Sequence, residues 1–351
     1  ERVKEHLAPL SNVIFKYQGS VMTNTHIKGS SDIDLLTICD KFYSWDRVGI
    51  ESVLNSYIEK SNYSINAINK LEKEVQNFSP YLGTPTDDLR QIRLDSENIL
   101  QQKYIHCDIS NGKSIKIKNL SLKRDVDIVT ASWYDNVNSV INDKDVDFRG
   151  VQVYDKNKNE RLPVDYPFLS IKRINERGNE TNDRLKKMIR FLKNIKADSN
   201  QNIDLSSFDI NAICYDIDIS KYISKSYYEL VYTIYLQLDS ICKNKTHSDR
   251  IVSVDGKEYI FRNNENKLSM NWDISLSNFD GKTAFQMAEI GFSKHVSQTE
   301  YFKVGRRGVF DCRAFGLYRS LVGDDIVKND FMENIERPSR NTNIFSLDMK
   351  N

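Results

Sequence analysis

The chain has 351 residues, 39% hydrophobic and 28% charged, with a formal net charge of +1 at pH 7. That length allows two domains or one large one with a sizeable core, and the near-neutral balance argues against broad, constitutive nucleic-acid binding. No run approaches the roughly 18 apolar residues of a membrane span. No charged-then-apolar leader opens these residues, so neither membrane nor secretion is expected. The cysteines, Cys39, Cys107, Cys214, Cys242 and Cys312, are scattered without a C-x-x-C pair. They indicate neither a disulfide framework nor a zinc knuckle, and a reduced, cytoplasmic compartment is expected. His106-Cys107-Asp108 is the one close metal-type cluster, but adjacent residues rarely converge on one ion.

In chain order, residues 1–17 read as a helix broken near Pro9. Gly19-Ser20 opens a loop, and a strand follows from Ile33 to about Cys39. Across residues 46–78, Val48, Leu54, Ile58, Ile65, Ile68, Leu71 and Val75 recur at helical spacing. Pro80, Gly83 and Pro85 punctuate a loop, and residues 87–104 read as helix. Ile115 and Ile117 alternate with lysines in a short strand, which Asn119-Leu120-Ser121 connects to a strand carrying Asp127. These two strands suggest an antiparallel pair in a mixed sheet. After Pro163 helical periodicity dominates to about residue 242, which divides the chain into domains 1–162 and 163–351. Val252, Val254, Tyr259 and Phe261 flank Asp255-Gly256 as a hairpin. A helix follows from about Lys282, with Ala284, Met287, Ala288 and Phe292 inward, and the tail after residue 328 is rich in Asn, Arg, Ser and Pro.

Three acids carry the chemistry. Side chains two apart on a strand point the same way, so Asp32 and Asp34 project together while Ile33, Leu35 and Ile38 face the core. Asp127 repeats the apolar-acid-apolar pattern between Val126 and Ile128; Asp125 shares its face but follows Arg124 at the strand entry and ranks second. Eleven residues separate Ser20 from Asp32, enough for a helical turn and a return. Gly19 lets backbone approach a phosphate without a Cβ, and Ser20 offers a hydroxyl and an N–H. Nucleotidyl transfer calls for one cation at the attacking hydroxyl and one at the leaving triphosphate. Hard ions such as Mg²⁺ or Mn²⁺ take carboxylate oxygens, so Asp32, Asp34 and Asp127 are the expected ligands of two ions. Taken alone, an Asp-x-Asp pair is also common at solvated strand ends; the Gly-Ser pair and the apolar flanks favour catalysis.

A second constellation lies at residues 181–198. Met188, Phe191, Leu192 and Ile195 form an apolar stripe, and Lys186, Arg190 and Lys193 a basic one, with Thr181 or Asn182 placed to cap. The basic row is either a solvated helix face or a set of fixed cations for a triphosphate. Tyr227-Tyr228 and Tyr232 read as helix packing, and Arg306-Arg307 as a solvated loop or the rim of a site.

Gly19-Ser20, Thr25, Ser31-Asp32-Ile33-Asp34-Leu35 and Val126-Asp127-Ile128 resemble the bacterial cGAS/DncV-like nucleotidyltransferases, within the DNA polymerase β-like superfamily. The resemblance implies an α/β (α+β) nucleotidyltransferase core with a mixed sheet, a C-terminal helical domain, and an active cleft between two lobes. It implies synthesis of a cyclic oligonucleotide second messenger from NTPs, with release of pyrophosphate, in anti-phage defence. It also implies a downstream effector protein as the product's target, and regulatory protein partners. Ile189-Arg190-Phe191-Leu192-Lys193 resembles the family's donor-nucleotide helix, making Lys193 the first and Arg190 the second choice for the triphosphate, with Lys187 one register away. The same match suggests Ser207 for a phosphate and Phe208 for base stacking, beside the alternative that Ser207 caps a helix and Phe208 is core. A nucleotidyltransferase acting on RNA, a protein or a small-molecule acceptor needs the same three acids and stands as the alternative function.

Overall fold

The computed structural model describes residues 1–27, 33–119, 124–198, 203–225, 227–262 and Lys267. Asp32, the Leu120-Ser121 link, Cys312, the helix expected from Lys282, the Arg306-Arg307 loop and the tail after residue 328 lie outside the described residues. Two compact units divide at Arg173/Ile174. No helix among the described residues is long and apolar enough to cross a membrane.

The first unit opens with α1 (Arg2–His6) and β1 (Val13–Gln18). The helix expected over residues 1–17 is therefore mostly wrong. Val13, Ile14, Phe15 and Tyr17 are β-branched or aromatic, and pairing with a neighbouring strand decides their conformation. That neighbour is β2 (Ile33–Trp45), longer than the segment expected to end near Cys39. The helical region of residues 46–78 is three helices, α2 (Arg47–Asn55), α3 (Tyr57–Lys60) and α4 (Ile65–Asn77). Asp46, Ser56 and Ser64 start them, each side chain accepting a backbone N–H three residues on. Then come α5 (Pro85–Lys103), β3 (Cys107–Asp108), β4 (Ile115–Asn119), β5 (Arg124–Asp135), α6 (Val137–Ile141), β6 (Gly150–Asp155) and β7 (Glu160–Asp165).

The sheet runs β1-β2-β5-β4-β3, with β6 paired to β5 and to β7. It is mixed: β2 and β5 are parallel, and the other pairs are antiparallel. The antiparallel β4–β5 pair is the one the sequence suggests. Both faces are covered. Leu35, Ile115, Ile117, Val126 and Ile128 pack with Leu7, just after α1, and Leu100 of α5. Leu36, Ile38, Val129, Ala131, Trp133 and Val151 pack with Phe168 on the other face. Ile38 is thus buried on the side that carries Asp34, two strand steps away, and not opposite it. Arg93 of α5, with no exposed surface, pairs with Glu97 at 2.7 Å and donates to the carbonyls of Asn111, Gly112 and Ser114. Those bonds pin the loop between β3 and β4.

The helix α7 (Pro167–Glu180) begins in the first unit and ends in the second. The second unit continues with α8 (Arg184–Asp198), α9 (Ser207–Asp216), α10 (Tyr227–Lys243) and α11 (Lys245–Arg250). Thr181 Oγ1 accepts the Leu185 N–H at 3.3 Å, while Asn182 sits in the left-handed region at φ 49°. Ile174, Leu185, Met188, Ile189, Leu192, Ile213 and Ile234 belong to one buried cluster. The Asp255-Gly256 turn is present, with Gly256 at φ 75° and Val252 bridging Tyr259.

Candidate nucleotidyltransferase site

In the first unit the site is built at one end of the central strand pair. The parallel register sets Asp34 of β2 directly beside Asp127 of β5. Adjacent strands lie about 4.8 Å apart and registered residues share a face, so the two carboxylates project together. Both residues are half-buried, and Oδ1 of Asp127 is fully buried. On the far side of β2, Gln18 is the register partner of Asp34, so the chain leaves β1 beside the acids.

Gly19 is the next residue. Its φ is +79°, and a Cβ built there would lie 2.2 Å from Oδ2 of Asp34. The carboxylate occupies the space that a side chain would take. From Ser20 the chain turns back: Met22 N–H donates to Gly19 O at 3.2 Å and Thr25 N–H to Ser20 O at 2.9 Å. Gly19, Ser20, Asp34 and Asp127 are therefore brought together. Lys116 is a residue that sequence reasoning passed over. It is the register partner of Asp127 across β4–β5, and its Nζ lies 3.8 Å from Asp125. Its alternation with Ile115 and Ile117 was the available signal.

In the second unit Lys187, Arg190 and Lys193 all lie on α8, and none is solvated: their exposures are 8%, 9% and 5%. The solvated-face alternative does not hold. Burial lowers the Lys193 pKa to about 8; the Cys214 thiol opposes that shift and Arg190 adds to it. Lys186, at 8% exposure, lies in a notch at Gly178, where a Cβ would meet its Cε at 2.3 Å. Ser206, not Ser207, caps α9: Ser206 Oγ accepts the Asp209 N–H at 3.1 Å and the Asp209 carboxylate accepts the Ser206 N–H at 2.7 Å. Ser207 is exposed in the first turn, and Phe208 is half-buried against the cluster. Cys214, which interacts with Lys193, lies on the same helix about 10 Å beyond Ser207 at 1.5 Å per residue. Tyr232 stacks on Tyr235 along α10, with centroids 6.1 Å apart, as helix packing.

Two neighbouring carboxylates at a strand end, beside a Gly-Ser turn, are the arrangement expected of a nucleotidyltransferase core. Residues 172–275 match the C-terminal helical domain of cGAS/DncV-like nucleotidyltransferases. The chain is 52% identical over 269 residues to a c-di-GMP synthase of Capnocytophaga granulosa, covering 76% of each chain. It is 44% identical over 270 residues to one of a Lachnospiraceae bacterium, covering 76% of this chain and 77% of the relative. A solved STING-associated CdnE c-di-GMP synthase from Flavobacteriaceae sp. has a TM-score of 0.72 at 39% identity, covering 85% of this chain and 81% of that one. The chain belongs to the bacterial cGAS/DncV-like nucleotidyltransferase family. It is an enzyme that joins NTPs into a cyclic oligonucleotide, with the polymerase β-like core and helical C-terminal domain expected of that family.

Proposed function

We propose that this chain is a c-di-GMP synthase that joins two molecules of GTP. The observation that supports this most is the 44–52% identity, over three quarters of the chain, to relatives named for that product. We assign catalysis to Asp34 and Asp127, with Asp32 as the third acid. Core and helical domain divide the labour: residues 1–162 hold the acids, and residues 163–351 hold the donor triphosphate.

The site fits divalent cations. Its donors are hard carboxylate oxygens, and Gly19 leaves open the space a Cβ would take from Asp34 Oδ2, 2.2 Å away. Asp32, Asp34 and Asp127 would hold two Mg²⁺ or Mn²⁺ ions, which lower the pKa of a bound hydroxyl and offset phosphate charge when present. Asp127 accepts the proton of the attacking ribose hydroxyl. That oxygen displaces pyrophosphate from the α-phosphate of the second nucleotide, and a second round on the linear intermediate closes the ring. Ser20 and the Gly19–Ser20 backbone orient phosphate. Lys193, then Arg190 and Lys187, hold the donor triphosphate; Ser207 contacts it, and Phe208 stacks on the base. Most of the rate enhancement comes from positioning and charge neutralisation.

The product signals to an effector protein in anti-phage defence; the solved relatives described as STING-associated support that direction. The test is to incubate the protein with GTP alone and with all four NTPs, with Mg²⁺ or Mn²⁺, then treat with phosphatase and weigh the products. A phosphatase-resistant guanine dinucleotide from GTP alone is expected. A resistant product containing another base refutes the guanine assignment.

A further inference from the structure

We propose that Thr23 and Thr25 are positioning residues: a buried hydroxyl pair that sets the Ser20 peptide for phosphate. The proposal rests on the reading of the Gly19–Ser20 turn as part of the catalytic site. Thr23 is 3% exposed and Thr25 not at all. Their hydroxyl oxygens lie 2.7 Å apart, and Thr23 Oγ1 also lies 3.2 Å from the Ser20 carbonyl oxygen. Thr25 N–H reaches the same carbonyl at 2.9 Å.

The proton count orders these bonds. A hydroxyl carries one proton. Thr23 spends its proton on the Ser20 carbonyl, so Thr25 donates to Thr23. The Ser20 carbonyl then accepts two donors, which use both of its lone pairs. A trans peptide is planar, with N–H directed opposite C=O. Holding the Ser20 carbonyl toward the threonines therefore aims the Val21 N–H away from them, and fixes where the Ser20 Cα and hydroxyl sit beside Gly19.

Filling this volume needs no hydroxyls, because two valines would do so without desolvating polar groups. Were the Ser20 carbonyl only to need satisfying, Thr25 N–H would suffice. What the side-chain chain of donors adds is a fixed peptide orientation, next to a glycine whose missing Cβ already admits Asp34.

The test uses Thr23→Val/Thr25→Val, which removes both hydroxyls at nearly constant volume. Replacing both partners of a buried bond by apolar groups of the same shape is close to neutral for stability. The expected variant folds with an unchanged melting temperature, and its product rate, measured against total concentration of the four NTPs, falls roughly tenfold or more in kcat/KM. Thr25→Ser, which keeps the hydroxyl, retains parental activity. A fully active double-valine variant overturns the proposal. So does a Thr25→Ser variant as impaired as valine, which assigns the pair to packing alone. Asp34→Asn separates this from the underlying reading: an active Asp34→Asn removes the catalytic assignment, whereas an inactive one beside a fully active double-valine variant removes only the present inference.

Discussion

Adding one methyl at Gly19 tests the site most directly. In Gly19→Ala the new Cβ would stand 2.2 Å from Oδ2 and 3.3 Å from Cγ of Asp34. Ordinary contacts of this kind begin near 3.4 Å, so the carboxylate must retreat by about 1 Å, and displacements of that size at a reacting centre cost about 100-fold in rate. The backbone adds its own cost. At φ +79° a residue with a Cβ is disfavoured by roughly 1–2 kcal/mol. For a unit of this size that lowers Tm by about 2–8 °C. The assay is pyrophosphate release alongside thermal denaturation. Loss of activity should far exceed loss of stability. Asp34→Ala removes the carboxylate, so in that background Gly19→Ala should cost only the backbone part. Activity within threefold of the parent, at unchanged Tm, would refute the argument that Asp34 works in the space Gly19 leaves open.

Asp34→Asn and Asp127→Asn should each abolish product without lowering Tm, because each removes a negative charge from a neighbouring pair; a fully active variant of either overturns its assignment. Lys193→Met should bind a non-hydrolysable GTP analogue at least tenfold more weakly, as expected for loss of a charge-assisted bond, yet be more stable below pH 8. The sign follows from burial: with a folded pKa of about 8 against 10.5 for the free group, the unfolded chain holds more protons between those values. Parental stability therefore rises with pH across that window, and the full penalty of about 3 kcal/mol applies below it. A less stable Lys193→Met at pH 7, measured by denaturant titration, contradicts this. Nucleotide binding above pH 8 should take up a proton in the parent, detectable by calorimetry in buffers of different ionisation enthalpy, and not in Lys193→Met. Phe208→Ala should raise KM for nucleotide more than Ser206→Ala does, since Ser206 caps α9 while Phe208 is only half-buried; equal effects would make Phe208 a packing residue.

Local pattern carried much of this molecule. Alternation around Asp34 and Asp127 placed both acids on strands, and Ile115 and Ile117 announced the strand that pairs with β5. The Ser206-x-x-Asp209 pattern marks the start of α9, one residue before Ser207, which stood as an alternative cap. Local pattern failed where neighbours decide. Val13–Gln18 reads as part of a helix until β2 lies beside it. Residues 46–78 keep helical spacing through Ser56, which ends α2 and starts α3, and through Ser64, which starts α4.

By itself the sequence determined the chemistry on offer: a Gly-Ser turn, acids at strand spacing and a basic helix. Those are short-range properties, set by strand and helix periodicity. Tertiary structure decided what sequence distance hides. Asp34 and Asp127 are far apart along the chain, and only the parallel register of β2 and β5 makes them neighbours. The cations of α8 look solvated in the sequence because helical periodicity separates faces without saying what covers them. Burial, which lowers the Lys193 pKa to about 8, is a property of packing and has no local signature. The empty place at Gly19 is likewise visible only once another strand has delivered a carboxylate into it.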